Sequence, residues 1–120
     1  VNNKRVSVIT IDEAKVAYKE LNRIVGEQTA RGAETSPEIQ LLRSIRQKIE
    51  FLKINPFYGD NIPKKQIPKG YAVANLWRVE LTNYWRMLYT IRGDEVEIIC
   101  VILDITDHER YDKKFGYRKK

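Results

Sequence analysis

The sequence predicts an α+β domain: one short strand, two helices, a three-strand meander and a terminal helix. Three observations carry this. Apolar residues recur at helical spacing through the first half, they alternate as in strands from Val73 onward, and a segment rich in proline, glycine and lysine separates the two regimes. At 120 residues, with 42% hydrophobic against 32% charged, the chain has the size and balance of one soluble domain with one core.

Ser7 to Thr10 is a short extended run rich in β-branched residues, and Thr10 with Glu13 three residues later has the form of a capping box. A helix is expected to start there, carried by Ala14, Ala17, Leu21, Ile24 and Val25 until Gly26 and Gly32 weaken it. The second helix has a stronger start: Thr35 stands at capping-box spacing from Glu38, and Ser36-Pro37 offers a cap followed by proline in the first turn. Ile39, Leu42, Ile45, Ile49 and Leu52 then form one apolar stripe that ends before Asn55-Pro56. From Phe57 to Gly70 the chain reads as an ordered loop with little regular structure.

Val73 to Leu81, Trp85 to Ile91 and Glu95 to Ile105 read as strands, with turns at Thr82-Asn83 and Gly93-Asp94 that make two successive hairpins. Alternation puts Trp77, Val79 and Leu81 on one face with Trp85, Met87, Tyr89 and Ile91, a platform for the two helices. The opposite face collects Arg78, Glu80, Tyr84 and Arg86, a mixed charged and aromatic surface suited to an anion. The last strand is apolar on both faces from Ile98 to Leu103, as a central strand would be. Asp107 is placed to cap a short helix from His108 to about Phe115.

The net charge is +6, from 22 Lys and Arg against 16 Asp and Glu. The cations concentrate at Lys64, Lys65 and Lys69 and at Arg110, Lys113, Lys114, Arg118, Lys119 and Lys120, so a polyanion or an acidic protein is the expected partner. Cys100 lies inside the apolar run and has no second cysteine to pair with; it reads as a small buried hydrophobe in a reducing compartment. No stretch reaches the roughly 18 apolar residues of a membrane span, and the N-terminal residues lack the order of a signal peptide. A cytosolic protein is expected. The sequence contains no Cys/His set for zinc, no acidic cluster for magnesium and no glycine cradle for phosphate, so no metal or cofactor is expected.

The wording of the C-terminal half is more specific than its composition. Leu76-Trp77-Arg78-Val79-Glu80-Leu81, Tyr84-Trp85-Arg86-Met87-Leu88-Tyr89, and Ile102-Leu103-Asp104-Ile105 running into Asp107-His108-Glu109-Arg110-Tyr111 resemble the RelE/ParE superfamily of toxins from toxin–antitoxin pairs. The likeness covers about half the chain by wording and all of it by element order, and implies a single RelE-like β-α-α-β-β-β-α domain. It also implies a metal-independent endoribonuclease that cuts messenger RNA, usually on the ribosome, and so inhibits translation. The ribose 2′-hydroxyl attacks the adjacent phosphate, which needs a base, a cation for the charge on phosphorus and an acid for the departing oxygen.

By position, Arg86 matches the family's transition-state arginine and Arg78 the first of its strand lysines. His108, Arg110 and Tyr111 fall where the family keeps its terminal acid, base and phosphate-binding groups. Lys64, Lys65, Lys69, Arg110, Lys113 and Arg118 would hold the RNA backbone, with Phe115 and Tyr117 supplying aromatics able to stack on bases. The partners that the resemblance implies are mRNA, the ribosome and a cognate antitoxin, with a heterotetramer among the assemblies it allows.

Glu80 departs from the pattern, because the best-known ribonuclease members carry a second lysine there; a carboxylate serves either as general base or as the mark of a branch with altered cleavage. Two other readings therefore stay open: a ParE-like poison of DNA gyrase, and an RNA-binding relative without cleavage. Plainer readings stand beside each residue: Arg86 as a strand arginine paired with Glu80, His108 as a surface residue, Tyr111 as a core anchor, the basic tail as a solvated terminus.

Overall fold

The computed structural model describes residues 4–94 and 96–116. β1 (Arg5–Thr10) leads into α1 (Asp12–Ala30) and α2 (Pro37–Ile54), and the chain then passes through a two-residue strand, β2 (Asp60–Asn61). β3 (Trp77–Glu80), β4 (Arg86–Gly93) and β5 (Glu97–Thr106) form the meander, and α3 (His108–Phe115) follows. The order across the sheet is β1-β5-β4-β3-β2, with β1 parallel to β5 and the other pairs antiparallel. β5 is thus an interior strand, flanked by β1 and β4, as its apolar run requires. The separating segment is less irregular than expected: it contributes β2 to the sheet edge and a 3-10 turn at Lys64–Gln66. The strand expected from Val73 begins only at Trp77.

Local signals decide most helix ends. Ser36, not Thr35, caps α2, its hydroxyl accepting from the Ile39 N–H at 3.0 Å with Pro37 in the first turn. Asp107 caps α3 by accepting from the Arg110 N–H at 2.8 Å. α1 runs through Gly26 and closes on Gly32 at φ +92°, with Gly32 N–H bonded to Thr29 and Ala33 N–H to Gln28, a Schellman end. The capping box at Thr10 does not form. Thr10 is still in β1, paired with Ile102, and the next residue, Ile11, donates to the Ile102 carbonyl at 3.2 Å. The sheet ladder therefore holds the backbone that a cap would have to release, and α1 starts at Asp12 with no side-chain cap.

The two faces of the sheet carry different loads. On one, Ala14 and Leu21 of α1 and Leu41, Leu42, Ile45 and Leu52 of α2 pack on Val79, Leu81, Met87, Tyr89, Cys100, Ile102 and Ile105. Full burial of an aliphatic side chain is worth about 1.5–3 kcal/mol, so this layer supplies the main driving force. Burial also pushes the Cys100 thiol up to about 11. The other face is not the open surface expected from alternation. Tyr111 of α3 and Ile62 and Leu76 of the connecting segment close over Leu88, with Phe115 stacked on Tyr111 at 4.3 Å. Only one end of that face stays open.

Gly59 fixes how the connecting segment meets the sheet. Its N–H donates to the Tyr89 hydroxyl at 3.1 Å, and that hydroxyl donates to the Pro56 carbonyl at 2.8 Å. A Cβ on Gly59 would lie 2.7 Å from the Arg78 carbonyl oxygen, a backbone atom that cannot swing away. Gly59→Ala is expected to destabilise the fold by about 1–3 kcal/mol, read as a lower urea midpoint at unchanged slope. An unchanged midpoint would mean that the segment docks less tightly than these distances state.

Candidate functional site

The open end of the outer face is built by register. Glu80 of β3 stands directly opposite Arg86 of β4, Arg86 opposite Thr106 of β5, and Arg78 opposite Asp60 of β2. Immediately after Thr106 the Asp107 cap turns the chain back, so that His108, two residues on, arrives beside Arg86. The result is one charged cluster drawn from four elements.

Arg86 is its centre. Its Nε donates to Glu80 Oε2 at 3.3 Å, its Nη1 lies 3.4 Å from His108 Nδ1, and its guanidinium carbon sits 4.5 Å from the centroid of the Tyr111 ring. Its side chain is 16% exposed, facing away from α1 and α2. Arg78 donates from Nη1 to the Tyr111 hydroxyl at 3.1 Å and from Nη2 to Asp60 at 3.3 Å, while its Nε lies 3.6 Å from Glu80, too far for a hydrogen bond. Burial works against its charge, but the Tyr111 bond and the neighbouring carboxylates outweigh that and hold the guanidinium above its ordinary value.

Glu80, 53% exposed, therefore serves both arginines from the solvent side. His108 Nε2 faces Asp112 Oδ2 at 3.2 Å, one helical turn on, so an imidazolium would be paired there. Tyr111 is 2% exposed. Its hydroxyl meets Arg78 and its ring underlies Arg86, which makes it the floor of the cluster rather than a group open to phosphate.

The hairpin turn beside the cluster is unusual. Trp85 N–H bonds to the Thr82 carbonyl, and both central residues, Asn83 (φ +56°) and Tyr84 (φ +65°), lie in the left-handed region. Two-residue turns of this kind suit Asn followed by Gly; here tyrosine holds the second place, at a cost on the order of 1–3 kcal/mol.

The remaining cationic candidates divide. Lys64, Lys65 and Lys69 are exposed on the connecting segment; Lys65 and Lys69 line a groove of about 360 Å³ with Lys114 and Phe115 of α3. Lys113 is exposed on the same helix. Lys114 is committed to the buried carboxylate of Asp104 at 2.6 Å, which also accepts from the Tyr71 hydroxyl at 2.8 Å; burial and that carboxylate push the Tyr71 phenol well above its usual range. Arg110 is not brought to the cluster. It contacts Asp107 and the Ile105 carbonyl and borders the apolar groove between α1 and α2. Arg118 and Tyr117 lie outside the described residues.

Asp60 and Asp112, both members of the cluster, carried no weight in the sequence reading. Asp112 was within reach of it, four residues after His108 on a short helix. Asp60 was not, since only the edge pairing of β2 with β3 brings it to Arg78.

The architecture has a solved counterpart. The structure aligns with a YoeB/ParE toxin from Agrobacterium tumefaciens at a TM-score of 0.55 and 18% sequence identity, over 85% of this chain and 98% of that one. The chain has the RelE/ParE-type toxin fold. At this identity the fold is what is shared. No family model matches the sequence, and no curated protein sequence does. In this RelE/ParE-type fold, no group of three or more His, Cys, Asp or Glu stands together to hold a metal ion, and no helix is long and apolar enough to cross a membrane, both among the described residues.

Proposed function

We propose that this chain is the toxin of a toxin–antitoxin pair and that, as a single RelE-like domain in the cytosol, it cuts messenger RNA on the ribosome. The observation that carries this reading is Arg86, a largely shielded guanidinium held between Glu80, His108 and the Tyr111 ring at the open end of the outer face. Chain cleavage by the 2′-hydroxyl asks for this set of groups. The 2′-oxygen bonds to phosphorus and its proton passes to the Glu80 carboxylate. Negative charge grows on the non-bridging oxygens, where Arg86, with Arg78 behind it, stabilises it. The P–O5′ bond breaks and O5′ takes a proton from His108, whose ring Asp112 orients from the other nitrogen at 3.2 Å. The products are a 2′,3′-cyclic phosphate and a 5′-hydroxyl, and the step uses no metal. Tyr111 positions both arginines. Lys64, Lys65 and Lys69, with Lys113 and Arg118, track the RNA backbone, while Arg110 stands apart and orders the start of α3.

The partner in the resting state is an acidic antitoxin segment that covers the cationic surface. Expression of the chain alone is expected to arrest growth, with cuts in ribosome-bound message that end in a cyclic phosphate, detectable by end-specific ligation and sequencing. Intact message in arrested cells would remove the nuclease reading.

One observation favours a second reading. Glu80 and Asp60 already neutralise Arg78 and Arg86, so the cluster itself is poorer in free positive charge than a phosphate site needs. A toxin that poisons DNA gyrase by protein contact would tolerate that balance. DNA breakage with intact RNA is its signature.

A further inference from the structure

Tyr84 stands beside the cluster without packing in either apolar cluster or pairing with the arginines, yet its placement is costly. It is 73% exposed, two residues from Arg86, and its ring centroid lies 6.1 Å from that of His108. The backbone beneath it is left-handed, at the turn position where glycine is at ease and a bulky residue is strained. The turn is also pinned, since Thr82 N–H donates to Ser44 Oγ of α2 at 3.1 Å. A large flat apolar ring is thus held out in water on a rigid mount, next to the histidine and arginine. Neither burial nor the turn itself asks for an aromatic residue there.

We propose that Tyr84 is a stacking platform for a nucleobase of the single RNA strand whose phosphate Arg86 binds. Base–aromatic stacking is insensitive to sequence, because every base presents a π-face. It would place the ribose attached to that base beside His108 and so set which phosphate reaches Arg86. The proposal rests on the nuclease reading for the identity of the strand, and it adds a positioning residue that the charged cluster lacks. Strain retained at an exposed aromatic follows the general pattern in which a functional position gives up stability.

The test uses the whole chain and a short 2′-O-methyl RNA, which cannot be cut, alongside an abasic strand of the same length and charge. Binding is read by fluorescence anisotropy and the fold by thermal unfolding. Tyr84→Gly is expected to weaken binding of the base-bearing strand by on the order of 10- to 100-fold, to leave the abasic strand unaffected, and to leave Tm unchanged or higher. Tyr84→Trp should restore binding. Equal loss for both strands, no loss for either, or a Tm that falls with affinity would each overturn the platform. The outcomes also separate the two proposals. Message cut by the wild type with Tyr84→Gly binding normally rejects the platform alone, and base-dependent binding without cleavage supports the platform while rejecting the nuclease. A wild type that binds neither strand rejects both.

Discussion

Arg86→Ala is expected to abolish the growth arrest and to slow RNA cleavage by on the order of 10²–10³-fold, the loss typical when one preorganised donor to a developing anion is removed. The fold should survive, because Arg86 belongs to neither apolar cluster. Arg86→Lys keeps the charge but not the planar fork that meets Glu80 and lies over the Tyr111 ring, so it should recover only part of the rate. The measurement is a single-turnover cleavage assay beside thermal unfolding of each variant. Wild type and Arg86→Ala that are equally harmless, or that cut equally well, would leave the guanidinium as an ordinary strand arginine paired with Glu80.

The second large effect is expected at Tyr111, where stability and positioning can be separated. Tyr111→Ala removes the ring that closes the outer apolar cluster over Leu88 and stacks on Phe115, and should cost about 3–5 kcal/mol of folding stability. Tyr111→Phe keeps the ring under Arg86 and takes away only the hydroxyl that accepts from Arg78. It should stay within about 1.5 kcal/mol of wild type and lower cleavage far less than Arg86→Ala. Urea unfolding gives the first comparison and cleavage rates the second. If the phenylalanine variant were as unstable as the alanine variant, the hydroxyl and not the ring would be what holds α3 to the sheet.

Much of this architecture is visible in the residues themselves. The apolar stripe from Ile39 to Leu52, the Ser36-Pro37 start, the Asp107 cap and the alternation through Met87, Tyr89 and Ile91 are signals between neighbours in sequence, and local backbone geometry obeys them. The Thr10 signal failed for the opposite reason: Thr10 had a non-local partner, Ile102, and the β1–β5 ladder outweighed the cap. β2 left no mark because two residues, Asp60 and Asn61, carry no periodicity at all.

The charged cluster divides along the same line. Alternation along a strand, set by the pleat, was enough to put Arg78, Glu80 and Arg86 on the face away from the helices, and a cap followed by a short helix was enough to return His108 and Tyr111 to the end of the last strand. What the linear order could not contain was depth and company. Tyr111 is floor rather than surface, Asp60 reaches Arg78 across a sheet edge, Arg110 turns toward the helical layer, and Tyr84 stands out on a strained turn. Each of these depends on contacts between residues far apart in the chain, whose closeness exists only once the sheet has closed and α3 has packed against it.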